Sequence, residues 1–89
     1  MRLPTFEVYC TNTTGQNALR FDMESLTVWF SYRMPVAFAR PRGVLVVREN
    51  IWGPTTGKHL NAIDGGSREA RRARVSEEAF TTMLGLALA

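Results

Sequence analysis

Leu26-Thr-Val-Trp-Phe-Ser-Tyr-Arg-Met-Pro-Val-Ala-Phe38 is the stretch that decides the fold. Its even positions are Leu26, Val28, Phe30, Tyr32, Met34, Val36 and Phe38; its odd positions are Thr27, Trp29, Ser31, Arg33, Pro35 and Ala37. Side chains of a strand alternate between two faces, so a period of two predicts a strand whose even side faces the core. Pro35 has no N–H to give to a ladder and demands an edge, a bulge or a break. The expectation is a strand over 26–32, a kink near 33–35 and continuation to 39.

Downstream, Arg40-Pro-Arg-Gly43 has the composition of a turn, with proline at its second position. Val44-Leu-Val-Val-Arg-Glu-Asn-Ile51 is β-branched and predicts a hairpin with 34–40. Gly53-Pro54 ends that strand. Thr55 or Thr56 then caps a short helix reaching about Ile63, with Leu60 and Ile63 turned inward. Asp64-Gly-Gly-Ser67 breaks it. Residues 68–74 are expected as a charged loop leading to a short strand near 72–75. Ser76 starts a last helix, with Glu77 and Glu78 in the first turn where the dipole favours negative charge. Val75 is placed to staple onto Phe80, and Phe80, Met83, Leu84 and Ala87 form the inward stripe. Upstream, residues 2–10 alternate weakly and predict a first strand, 11–18 a polar loop, and 19–25 carry no decisive period. The predicted class is α+β, a single domain over residues 1–89. It has a small antiparallel sheet of three or four strands, with the short helix and the C-terminal helix packed on one face.

Composition narrows the functional classes. The chain has 89 residues, 45% of them hydrophobic, and a formal charge of +3 carried by ten Arg and one Lys. That excess permits an acidic partner without demanding one. Cys10 is the lone cysteine, so no intrachain disulfide forms, and a reducing cytoplasm is the expected compartment. The N-terminus lacks an apolar signal-peptide core, and 83–89 is too short to span a bilayer. Asn12-Thr-Thr14 matches a glycosylation sequon, which has no meaning without secretion. His59 is the only histidine, and with one distant cysteine it makes no metal set. No nucleophile–base pair with an orienting acid is legible, so neither an enzyme nor a cofactor is expected.

Asn50-Ile-Trp-Gly-Pro-Thr-Thr-Gly-Lys-His-Leu-Asn61 concentrates the candidate contacts. Gly53-x-x-x-Gly57-Lys58 invites comparison with a phosphate-binding loop, but that loop needs four residues between its glycines and a hydroxyl after the lysine. A helix start that binds some anion with the help of Lys58 is the milder alternative. His59 is expected as a partly buried structural residue bonded to backbone, or else as a surface contact. The expected partner-binding set is Trp52, Thr55, Thr56, Lys58, His59 and Asn61, with Trp29 and Arg33. Trp29 has two readings: core, if helices cover both faces, or part of a patch with Ser31, Arg33 and Trp52. The alternative is a nucleic-acid strip of Arg68, Arg71, Arg72, Arg74 and Lys58, extended by Arg40, Arg42 and Arg48.

Ser31-Tyr-Arg-Met-Pro-Val-Ala-Phe38, Asn50-x-Trp52-x-x-Thr-Thr-Gly-Lys-His-Leu-Asn61 and Arg74-Val-x-x-Glu78-x-Phe80 follow one another at set spacings. This pattern resembles a widespread family of small uncharacterised proteins of tailed bacteriophages and prophages, over about residues 26–84. The Trp-x-x-Thr-Thr-Gly-Lys-His block carries most of the specificity. Members often have a small polar residue where Gly53 stands and Thr where Met34 stands. The resemblance implies a phage origin and action in the host cytoplasm, and assigns no reaction. A small phage chain of this kind is expected to bind a host or phage macromolecule, as a host-takeover or anti-defence (anti-CRISPR-like) inhibitor. The small core and an expected edge strand leave a homodimer open as well.

Overall fold

The thirteen-residue alternating stretch forms two strands joined by a tight turn. In the computed structural model, which describes residues 3–10 and 17–89, β3 (Thr27–Ser31) ends at Ser31 and β4 (Met34–Ala39) begins at Met34. Ser31 pairs with Met34 across the turn, and Tyr32 supplies the positive φ (58°) that such a short connection requires. The expected kinked strand is therefore a hairpin. Three further strands complete an antiparallel sheet in the order β1-β2-β3-β4-β5: β1 (Thr5–Val8), β2 (Ala18–Asp22) and β5 (Val46–Val47). The class is α+β as expected, with five strands instead of three or four. The additional pair arises because the turn divides the long segment and because 18–22 is a strand. The predicted loop at 11–18 and the sequon fall largely outside the described residues.

Pro35 decides the register. Trp29 pairs with Ala37, but Phe30 pairs with Pro35, so the register shifts between Trp29 and Phe30 and Val36 is the extra residue. A bulge places two successive side chains on one side. Val36 thus leaves the even face and joins Ala37, Val47 and Leu60 in a cluster flanked by Trp29 and Ile63. Leu26, Val28, Phe38 and Phe80 form the other cluster. Phe30 packs half-buried beside that cluster, while the last two even positions, Tyr32 (48% exposed) and Met34 (40%), lie at the hairpin tip and are not core.

The two clusters fix the layers. Val28 and Trp29 are neighbours on β3, as Ala37 and Phe38 are on β4 and Val46 and Val47 on β5, and each pair divides between the two clusters. Neighbours on a strand point to opposite faces. Phe80 comes from α3 (Glu77–Leu88) and Leu60 from α1 (Pro54–Asp64), so the helices cover opposite faces, not one. A sheet buried on both sides explains why Trp29 is half-buried against Leu60 and its neighbours.

β5 is shorter than the predicted strand over 44–51. Its register, Phe38 opposite Val46, leaves 40–45 as a loop closed by the Gly43 N–H to Arg40 O bond (2.8 Å), and Val44 hangs in solvent. Helix α1 is capped by Gly53 with Pro54 following, and not by the side chain of Thr55 or Thr56. Proline suits that first position because its absent N–H would have had no partner there. Gly65 (φ 87°) ends the helix. Residues 68–73 are helical (α2, Arg68–Ala73) where a charged loop was expected, because the Ser67 hydroxyl accepts the Ala70 N–H. Of the predicted strand near 72–75, only Val75 bridges, parallel to Arg48. Val75 N–H bonds Val47 O and Glu49 N–H bonds Val75 O, each at 2.8 Å. Ser76 caps α3 through the Ala79 N–H, with Glu77 and Glu78 in its first turn, as expected. Phe80 is buried, and Leu84 and Ala87 pack beside it, while Met83 is 39% exposed. Among the described residues no helix is long and apolar enough to cross a membrane.

Candidate functional site

Asn50 shapes the corner where β5 gives way to α1. Its side-chain oxygen accepts the N–H groups of Trp52 (3.0 Å) and Gly53 (3.2 Å), and its amide donates to Gly53 O (2.9 Å). This clamp aligns the first turn of α1. Thr56, His59, Leu60 and Ile63 then fall at helical spacing on the inward side, and the first three are buried. Ser31 of β3 meets this side: its Oγ lies 2.7 Å from His59 Nδ1 and 3.1 Å from Thr56 Oγ1.

His59 is fully enclosed, with the rings of Tyr9 and Tyr32 centred 6.1 and 6.0 Å from its own. Burial pushes its pKa down, which keeps the imidazole neutral. It is enclosed, as one reading held, and its Nδ1 bonds the Ser31 hydroxyl. His59 is therefore sealed away from the surface, whereas Thr56, though buried, still borders the recess beside Trp52; both hold α1 on the sheet. Thr55 is half-buried, and Lys58 and Asn61 are exposed on other sides of α1. Asn61 accepts a hydrogen bond from Arg74 Nη2 (3.0 Å). Trp29 is half-buried against the α1 cluster.

Trp52 and Arg33 do come together. A cleft of about 460 Å3 separates the hairpin tip from the corner and is lined by Ser31, Tyr32, Arg33, Met34, Pro35, Val36, Trp52 and Thr56. A shallower depression of about 280 Å3 continues past Trp52 over Gly53, Pro54 and Thr55. Tyr32, Met34 and Pro35 belong to this site but were assigned to the core or to a kink, because a straight strand hid the hairpin tip. The walls are apolar, and Arg33 is the charged side chain among them.

Arg48 stands behind Trp52. Its guanidinium carbon lies 4.6 Å from the Trp52 ring centre and 5.4 Å from that of Phe80, and Nη1 donates to Pro35 O (3.3 Å). Nη2 is 3.1 Å from Glu77 Oε1. That contact is an ion pair by distance but lacks hydrogen-bond direction, so Nε and Nη2 are buried without a hydrogen-bond partner among the described residues. Arg48 thus ties the hairpin, Trp52 and α3 together and does not extend an arginine surface. Arg74 is also committed internally. Its Nε and Nη2 grip Asp64 at 2.8 and 2.9 Å, with both side chains almost wholly enclosed. Burial alone would raise the Asp64 pKa; the Arg74 hydrogen bonds and the Gly66 N–H outweigh it and hold the carboxyl below its ordinary value. Arg68, Arg71 and Arg72 remain exposed on α2, and Arg40 and Arg42 on their loop. Among the described residues no group of three His, Cys, Asp or Glu is placed to hold a metal ion.

Compared with known families, residues 4–81 match the model of a family of unknown function, DUF8033. The chain belongs to the DUF8033 family. The matched span takes in all five strands, α1, α2 and the first turn of α3, so both walls of the cleft lie inside the DUF8033 unit. It also reaches well upstream of residue 26. No curated protein and no solved structure matches the chain.

Proposed function

We propose that this DUF8033 protein is a small non-enzymatic phage accessory protein that binds another protein in the host cytoplasm, as a host-takeover or anti-defence (anti-CRISPR-like) factor. The observation that carries the binding reading is the apolar cleft between Tyr32, Arg33, Met34, Pro35 and Trp52. A tryptophan and an arginine flanking an apolar recess are the side chains that most often anchor a protein contact. The phage origin rests on the Trp-x-x-Thr-Thr-Gly-Lys-His resemblance alone. Recognition is favoured over catalysis because the Ser31–His59 pair is buried and turned into the seam beneath α1. The occupant this cleft suits is a partner segment with one aromatic or aliphatic side chain and an adjacent carboxylate, the first for the recess and the second for Arg33.

Selection from a random peptide display library tests this. Wild-type protein should enrich apolar residues flanked by Asp or Glu, and folded Trp52→Ala and Met34→Asp variants should lose that enrichment. No enrichment, or enrichment that both variants retain, overturns the assignment of the cleft.

Arg68, Arg71 and Arg72, exposed together on α2, favour a second reading as a nucleic-acid contact, in which Lys58 joins and Arg74 does not. A salt titration with mixed DNA and RNA distinguishes it. Steeply salt-dependent binding that Arg71→Ala/Arg72→Ala abolishes supports this reading, and absence of binding at low salt removes it.

A further inference from the structure

The sheet ends differently on its two sides. Beyond β5, Val75 bridges Arg48 and occupies the edge next to Val47. On the other side β1 pairs only with β2 among the described residues, and every residue of β1 is exposed. Phe6 is 68% and Val8 44% exposed, and the Phe6 ring stacks on Phe21 (centroids 6.4 Å, 8° between planes). Phe6 pairs with Phe21 and Val8 with Leu19, so their side chains lie on the α3 face of the sheet, beyond the part that α3 covers.

The backbone parity of this edge is set. Tyr9 N–H bonds Ala18 O at 3.0 Å. Hydrogen-bonding groups of a strand alternate in direction, so Thr5 and Glu7 also face β2. The N–H groups of Phe6 and Val8, and the carbonyls of Pro4, Phe6 and Val8, face outward.

We propose that β1 pairs antiparallel with β1 of a second copy about a two-fold axis at Phe6, giving a ten-stranded sheet. In that register Phe6 of each copy exchanges both of its backbone bonds with Phe6 of the other. Val8 N–H of each copy donates to Pro4 O of the other, and the missing proline N–H falls at the end of the ladder. The rings of Phe21 and Phe6 of both copies then form one aromatic row across the join. Thr5 of one copy stands opposite Glu7 of the other, hydroxyl against carboxylate. A register centred on Glu7 sets two carboxylates face to face, which is unfavourable. One centred on Thr5 pairs Phe6 with Pro4, which moves the two absent proline N–H groups from the ends of the ladder to beside the axis and separates the two Phe6 rings.

A second copy is the occupant because the strand is self-complementary and the far edge is occupied by Val75. A two-fold contact consumes the open edge of both molecules, so assembly closes as a dimer and does not run on into a fibre. Pairing over so few residues buries on the order of half the roughly 800 Å2 per partner of a standard interface, which makes the dimer a concentration-dependent one. No residue of β1 lines the cleft, although Phe6 shares a neighbouring depression with Tyr32 and Arg33, and the dimer does not rest on the proposed cleft function.

Sedimentation equilibrium up to millimolar protein, with Val8→Pro as the variant, tests the proposal. Val8 N–H faces away from β2, so proline at this edge leaves the β1–β2 ladder intact. Wild type is expected to show a monomer–dimer equilibrium, and Val8→Pro to weaken it at least about tenfold. The register has its own readout in cysteine pairing, with the natural Cys10 buried. Mixed Thr5→Cys and Glu7→Cys proteins should cross-link on mild oxidation, because opposed residues at such a pair have Cα atoms about 4.5 Å apart. Neither variant alone should cross-link. A wild type that stays monomeric, a dimer indifferent to Val8→Pro, or self-cross-linking of Glu7→Cys overturns the proposal.

Discussion

Against α3 the sheet presents Leu26, Val28 and Phe38 to Phe80, an apolar contact with Arg48 at its margin. Against α1 it presents Val36, Ala37 and Val47 to Leu60, but beside them runs the buried Ser31–Thr56–His59 set. Apolar surfaces of matching volume tolerate small shifts and repacking. Hydrogen bonds fix which group stands opposite which, and in a buried seam an unmade one is costly. The directional face is the one that carries the cleft. Ser31 ends β3 just before the hairpin turn and Thr56 stands in the first turn of α1 just after Trp52, so the bond between them fixes the distance across which a partner would be gripped. The α3 face supplies stability with less positional demand.

Substitutions on the two faces should therefore differ in kind as well as size. Phe80→Ala has the largest effect: loss of a fully buried ring and of the Arg48 contact lowers unfolding free energy by about 3–5 kcal/mol, read by urea titration. Ser31→Ala removes few atoms but takes away a buried hydroxyl bonded to His59 Nδ1, which costs about 1–3 kcal/mol. The qualitative difference lies at the cleft. Ser31→Ala should weaken any peptide selected by the wild type, whereas a mild α3 change such as Leu84→Ala should leave that affinity unchanged. Equal losses of affinity in the two variants break the comparison.

The next effect is in the pH profile, and it too belongs to the α1 face. Burial lowers the folded pKa of His59 below its ordinary value near 6.5. The unfolded chain then binds the proton more tightly than the folded one. Stability from the neutral imidazole is complete above pH 6.5 and declines as pH falls from there toward the depressed folded pKa. Asp64 acts in a separate window: its lowered pKa gives stability that is present above its ordinary value near 3.8 and lost as pH falls through the folded pKa. His59 is the sole histidine, so melting temperature against pH should show a shoulder beginning near 6.5 that His59→Gln removes while the acid limb persists. A shoulder that survives His59→Gln shows that another group titrates there.

The alternating segment made the sheet legible, and its proline announced the irregularity that splits the faces. The hairpin did not show, because Tyr32-Arg33 lacks the Asn-Gly or Gly-containing composition that marks such turns. Thr56 and His59 share helical spacing with Leu60 and Ile63, so their burial could have been inferred; hydroxyl and imidazole instead suggested surface contacts. Strand β2 was obscure because Ala18-Leu-Arg-Phe-Asp22 mixes Arg20 and Asp22, which pair with each other at 2.7 Å on one face. The Arg74–Asp64 grip was beyond reach, since it depends on two left-handed glycines, Gly65 and Gly66, folding α2 back toward α1.

The smallest expected effect separates two turns of similar backbone. Tyr32 (φ 58°) and Arg42 (φ 62°) both occupy the left-handed region that disfavours side chains. Arg42 is exposed in its loop, so glycine there relieves strain at little cost in contact and should stabilise by about 0.5–1 kcal/mol. Tyr32 gains the same backbone relief from glycine but loses a ring that packs on His59 and lines the cleft. Tyr32→Gly should therefore be destabilising overall, by about 1–2 kcal/mol, a modest loss for a half-exposed aromatic side chain. Opposite signs for the two variants mean that the hairpin carries its strain because Tyr32 is needed over the buried histidine. Matching signs would reduce Tyr32 to an ordinary turn residue and leave Trp52 and Met34 as the cleft's apolar anchors.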